Sequence, residues 1–239
     1  MIKNALQYII GLASPTVQDI DGQTYSDKAL HRINHNPKAD PIRLNTLTSL
    51  VEYLKSGVDV FKNEQWFIHV QSPTLVQVFS SLDSDRVRET ICFADAQIPH
   101  FNFGSFIDHE QFCINLQSKF IDCEDRALLL KFAGTVESGS VAEYGDDGVS
   151  QKATVKTGIS TKADALSPSP ALLKPYRTFV EVEQPSSSFI FRMKQGGCNG
   201  IQCALFEADG GAWKNVAMHN IKQYLSEALA EHPNFIIIS

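Results

Sequence analysis

Little in this sequence announces a chemistry. No run of apolar residues approaches the ~20 that a membrane-crossing helix needs, so no membrane span is expected. A phosphate loop requires G-x-x-x-x-G-K-[ST], and a dinucleotide turn requires G-x-G-x-x-G. The chain contains neither. A G-x-S-x-G nucleophile elbow and an H-E-x-x-H zinc motif are also missing. No two of the five cysteines, Cys92, Cys113, Cys123, Cys198 and Cys203, stand as C-x-x-C, the spacing that marks most zinc and dithiol sites. Excess positive charge is lacking too. The net charge of -6 and pI near 5.6 disfavour a nucleic-acid partner, since such domains exchange counterions for Lys and Arg.

The 239 residues are 43% hydrophobic and 20% charged, which separates them from disordered chains. A core of its own is within reach of a chain this long. An odd cysteine count argues against secretion and for free thiols in a reducing compartment. Near the N-terminus Leu6, Ile9 and Ile10 recur at helical spacing, which predicts a short docking helix. Gln7 and Tyr8 interrupt what would otherwise suggest a signal peptide.

Local patterns predict an α+β fold of strand-rich antiparallel sheets with four to five helices, a long C-terminal helix packing on the sheet. Asp21-Gly22 between Val17–Ile20 and Gln23–Tyr25 is a hairpin signal. Asn45 or Thr46 caps a helix bearing Leu47, Leu50, Val51 and Leu54, and Gly57 ends it. The period then changes to two over Trp66–Val70, Leu75–Phe79 and Glu89–Ala96, which reads as a meander. Asp108 with Gln111 opens a helix carrying Phe112, Leu116 and Phe120. Glu124 and Asp125 open another with Leu128, Leu129, Phe132 and Val136. Further strands are expected at Phe179–Glu183, Phe189–Met193, Ile201–Glu207 and Phe235–Ile238. The long helix is expected at Ala212–Glu231. The whole of 1–239 reads as one domain. Residues 138–171 form an extended arm or linker excursion, with a polar, Thr-rich alternation at Gln151–Ile159 that reads as a solvent-facing hairpin or arm and a Pro-containing linker at Ala163–Ala171.

Two constellations invite a functional reading. Lys174-Pro175-Tyr176-Arg177 is the one basic-aromatic cluster. Rings can stack bases while Arg pairs phosphate, and an ordinary loop anchor would use the same residues. Gly210-Gly211 lies between a strand and a helix, where free N–H groups can hold an anion. The preceding Asp209 would repel a phosphate, and a tight turn accounts for both glycines. The Gly196–Gly200 loop reads as a hairpin turn. His31 and His35 lie among Asn and Pro, which argues against the helix that would align them as metal ligands. No catalytic residue, cofactor or metal is assigned from the sequence, and enzymatic activity is not expected, although a site assembled only in three dimensions would leave no motif.

Five runs carry a resemblance: Thr46–Leu54 (TLTSLVEYL), Asp125–Lys131 (DRALLLK), Gly145–Gln151 (GDDGVSQ), Leu173–Phe179 (LKPYRTF) and Leu205–Trp213 (LFEADGGAW). They resemble proteins encoded in bacteriophages and prophages, and the set is similar to the YfdQ-like prophage family, a domain of unknown function. The similarity runs in order along most of the chain. It implies a phage early-region protein in the cytoplasm of an infected bacterium, near recombination or replication functions, and a tendency toward large homo-oligomers. It brings no active site with it. The leading expectation is a non-enzymatic protein whose partner is itself. The alternatives are an anti-defence protein sequestering a small anionic host molecule and a single-strand DNA-binding or annealing protein.

Overall fold

The computed structural model describes residues 2–13, 15–29, 38–60, 64–138, 140–146, 151–157, 161–166, 170–195 and 200–239. The His31/His35 pair lies outside them, as does most of the Gly196–Gly200 loop. Two units are compact by their internal contacts, 1–39 and 40–239.

In the first unit, helix α1 (Ile2–Ala13) precedes a hairpin of β1 (Val17–Ile20) and β2 (Gln23–Ser26), paired antiparallel from Val17↔Ser26 to Ile20↔Gln23. Asp21 and Gly22 both take positive φ, 51° and 77°. That pair of angles makes a tight two-residue turn, and it is why Asp-Gly stands there. The strands are exposed along their whole length.

The second unit opens with β3 (Ile42–Leu44) and α2 (Leu47–Ser56). Thr46 caps α2 by accepting from the Ser49 N–H at 3.1 Å, and Gly57, at φ 66°, ends it in the left-handed region. The strands β4 (Trp66–Ser72), β5 (Leu75–Ser80) and β6 (Thr90–Asp95) follow as the expected antiparallel meander. Next come β7 (Ile107–Asp108), α3 (His109–Lys119) and α4 (Glu124–Ser138). Then β8 (Ser140–Asp146), β9 (Gln151–Thr157) and β10 (Thr161–Leu166) pair antiparallel in sequence. The stretch expected to be linker from Ala163 is therefore strand as far as Leu166: its alternating small and polar residues find hydrogen-bonding partners in β9. The chain finishes with β11 (Ala171–Leu173), β12 (Ser187–Gln195), β13 (Ile201–Glu207), α5 (Trp213–Ala228) and β14 (Phe235–Ile238).

Two helix-covered sheets result. The first has the order β14-β4-β5-β6-β3. Its centre is antiparallel, but both edge strands, which arrive by long connections, run parallel to their neighbours. Alternation in β4 sends Trp66, Ile68 and Val70 inward, against Leu50 and Leu54 of α2 and Ile221 and Leu225 of α5. Each such side chain contributes about 1.5–3 kcal/mol by leaving water. On the other face Phe67 stacks on Phe79 at 5.6 Å, and the Arg88 guanidinium lies 5.4 and 5.2 Å from the two ring centroids. The second sheet, β11-β12-β13-β7, is antiparallel throughout. Phe189, Phe191 and Met193 point from β12 into a core completed by Phe112 and Leu116 of α3 and Leu129 and Phe132 of α4.

One expected strand is absent. Phe179–Glu183 reads as alternating β, yet it is a turn. Phe179 and Val182 are buried while Val180 is exposed, an i, i+3 pattern rather than a period of two. A buried side chain outside the run, Gln184, takes up the backbone hydrogen bonds that a neighbouring strand would have made.

Candidate functional site

The segment from Lys174 to Gln184 lies in the connection between β11 and β12 of the second sheet and packs Phe179 and Val182 into the core of the first. Gln184 organises it, being 2% exposed. Its Oε1 accepts from the Arg177 and Thr178 N–H groups at 3.0 and 3.2 Å, and its Nε2 donates to the Phe179 carbonyl at 2.8 Å. Buried backbone groups need such partners. The turn then reaches in several directions. The Thr178 hydroxyl donates to the Pro73 carbonyl beside the first sheet. Glu181 Oε1 accepts from Thr48 N–H at 3.2 Å, at the positive end of α2. Asn220 of α5 donates to the Glu183 carbonyl at 3.0 Å.

On the side of the second sheet the turn delivers Arg177, 5% exposed. Its Nη1 donates to Glu207 at 2.7 Å and its Nη2 to the Ser187 hydroxyl. The guanidinium lies over the Trp213 ring, 3.9 Å from its centroid, with Phe189 at 5.6 Å. Burial pulls the Arg177 pKa down to about 10, against the opposing pull of Glu207 and Asp209, so the group is charged at neutral pH. The network continues into the glycine turn. Ser187 donates to Asp209 Oδ2 at 2.7 Å, and Asp209 accepts from the N–H groups of Gly211 at 3.0 Å and Trp213 at 3.3 Å. Burial alone would raise the Asp209 pKa. The bonds from Ser187, Gly211 and Trp213, with the charge of Arg177, outweigh it and hold the carboxyl below its ordinary value.

The two sequence candidates thus meet: Arg177 and the Gly210-Gly211 turn share one network through Ser187 and Asp209. Gly210 and Gly211, at φ 62° and 82°, let the chain turn into α5. The position where an external anion would sit is taken by the carboxylate of Asp209. Lys174 and Tyr176 lie apart from this network. Lys174 pairs with the exposed Glu183 at 3.0 Å, an interaction worth about 0–1 kcal/mol.

Tyr176 instead lines a cavity of about 150 Å³, together with Arg177 and Pro175. The opposite walls are Phe101 and Phe103, and His100 and Lys119 supply its further polar groups. The Lys119 ammonium donates to the His100 carbonyl at 2.6 Å, and the Tyr176 N–H donates to the Lys119 carbonyl at 2.9 Å. Sequence reading missed His100, Lys119, Gln184, Ser187 and Glu207, because nothing in their spacing relates them to 174–177. Asp209 carried a signal: an Asp just before a Gly-Gly pair is placed to accept from the backbone N–H two residues on.

Among the described residues no three of His, Cys, Asp and Glu gather as metal ligands, and no helix is long and apolar enough to cross a membrane. Cys92 and Cys203 are buried, and Cys113 and Cys123 are half-buried. The class of protein is an α+β chain whose larger unit carries two helix-backed sheets, a further three-stranded antiparallel sheet of β8 to β10, and a buried polar turn between β11 and β12 that packs against the first sheet. Comparison with protein-family models, curated proteins and solved structures finds no match for it.

Proposed function

We propose that this chain is a phage-encoded, non-enzymatic protein that self-assembles into a homo-oligomer through its N-terminal unit during the early infection programme. The carrying observation is the exposure of α1. Ile2, Leu6, Ile9 and Ile10 are 79%, 53%, 63% and 65% exposed, although their spacing forms one stripe. A helix of 12 residues is marginal in water on its own, and so is a two-stranded hairpin. Both need a surface to fold against.

Covering the four side chains would contribute about 6–12 kcal/mol at ~1.5–3 each. That offsets an association cost of about 4–15 kcal/mol only when each copy supplies a stripe. A second copy suits α1 better than a lipid surface does. The helix carries one cation, Lys3, and no acid, whereas interfacial helices rely on several Lys and Arg. The phage setting and the host-cell location rest on the family resemblance.

Native mass spectrometry of the full chain tests the assembly, with Leu6→Glu/Ile9→Glu as comparison. The expected result is a defined multiple of 26.5 kDa, reduced to the single chain in the double variant with its melting curve otherwise preserved. An unaltered protein that is monomeric at micromolar concentration overturns the proposal.

A further inference from the structure

We propose that the cavity between residues 98–103, the end of α3 and residues 175–177 binds a small organic anion, a carboxylate or phosphate carried on a flat apolar group. This goes beyond self-assembly and does not depend on it. The volume of about 150 Å³ corresponds to roughly five waters at ~30 Å³ each. That admits a small molecule. The lining follows the usual division for ligand sites, mostly apolar walls with a few polar groups. Ile98, Pro99, Phe101, Phe103 and Pro175 form the walls. The rings are held in place: Phe101 and Phe103 sit 4.7 Å apart, and Phe120 meets Phe101 edge-on at 5.2 Å. A fixed aromatic wall favours a flat partner.

The charge of the site favours an anion. No carboxylate lines the cavity, and Lys119 does. The bond to the His100 carbonyl anchors this ammonium and uses one of its three N–H donors. The negative end of α3 would oppose an anion, but two of its last four carbonyls are taken up by neighbouring N–H donors. Lys119 O accepts from Tyr176 N–H. Gln117 O and Phe120 O accept from Arg126 at 3.3 and 2.9 Å. His100 adds a polar edge at the rim, held by Asn102 at 2.5 Å.

The test is calorimetric titration of the full chain with benzoate, phenyl phosphate, inorganic phosphate and benzamide. One or both aromatic anions are expected to bind with Kd of about 1 mM or tighter, and benzamide and inorganic phosphate about tenfold more weakly. Lys119→Met, which keeps the aliphatic stem, is expected to lose about tenfold in affinity for the aromatic anion and to leave benzamide unchanged. Tyr176→Leu should weaken the aromatic anions and leave the melting temperature near that of the parent. No binding of either aromatic anion at several millimolar, or equal binding of benzamide, overturns the proposal on the unaltered protein even if a variant fails to fold. An undiminished affinity in Lys119→Met also overturns it. Since the titration is read on whatever assembly the chain forms, a monomeric protein that binds benzoate would refute self-assembly and leave the pocket standing.

Discussion

Replacing Gln184 by Leu should be among the most damaging single changes in the chain, although it adds an apolar side chain of similar size to a buried position. Gln184 satisfies the N–H groups of Arg177 and Thr178 and the carbonyl of Phe179. A buried polar group deprived of its partner costs about 1–3 kcal/mol. Two donors and a carbonyl give a ceiling near 9 kcal/mol by the same range, and relaxation of the turn toward water should bring the loss to about 3–5 kcal/mol. That is a large part of the ~5–15 kcal/mol that holds a typical domain folded. Urea unfolding followed by tryptophan fluorescence measures it. Trp66 lies in the core of the first sheet and Trp213 against Arg177, so the two tryptophans report on both sides of the junction. The midpoint is expected to fall by about 1–2 M urea. Gln223→Leu, on the exposed side of α5, should stay within about 0.5 kcal/mol of the parent. A loss below about 1 kcal/mol for Gln184→Leu would refute the view that this side chain holds the turn.

Other outcomes follow from the same network. Arg177→Met should cost about 1–3 kcal/mol by chemical denaturation, since it removes the charged donor that Glu207 and Ser187 share. Adding Glu207→Gln should restore part of that, and an additive double variant would contradict direct pairing. Asp209 is held below its ordinary pKa, so its contribution is present above about pH 4, the unfolded value, and is lost as pH falls through the lower folded value. Asp209→Asn, which keeps the shape and removes the charge facing Arg177, should therefore destabilise the protein at pH 7, with the gap to the parent closing in acid; a gap constant from pH 7 to pH 3 would be contrary. Burial pushes the Cys92 and Cys203 thiols up to about 12. Under native conditions a thiol reagent should modify Cys113 and Cys123 first and reach Cys92 and Cys203 only on unfolding, as peptide mapping would show.

Much of the fold is local and could be read directly. Thr46 and Gly57 bound α2 because capping and left-handed φ involve only neighbouring residues. Asp21-Gly22 makes its turn for the same reason. Alternation in Trp66–Val70 and helical spacing in Leu47–Leu54 mark which faces turn inward before any partner is known. The candidate site was legible only in fragments. Lys174, Tyr176 and Arg177 are adjacent in the chain, yet they serve an exposed ion pair, a cavity wall and a buried network respectively.

By itself the sequence determined most of the helices and the central strands, the α+β class, the inward faces of those elements and the lack of a catalytic motif, because these depend on short-range periodicity and backbone sterics. Tertiary structure alone decided that β3 and β14 run parallel at the edges of the first sheet, which depends on where long connections return. It alone decided that Phe179–Glu183 is a turn, because Gln184 offers that backbone better partners than a strand would. It also placed Asp209 against the glycine turn, joined Arg177 to it through Ser187, and set Lys119 beside Tyr176. Each of these pairs residues distant in the chain, and local propensity carries no information about such encounters.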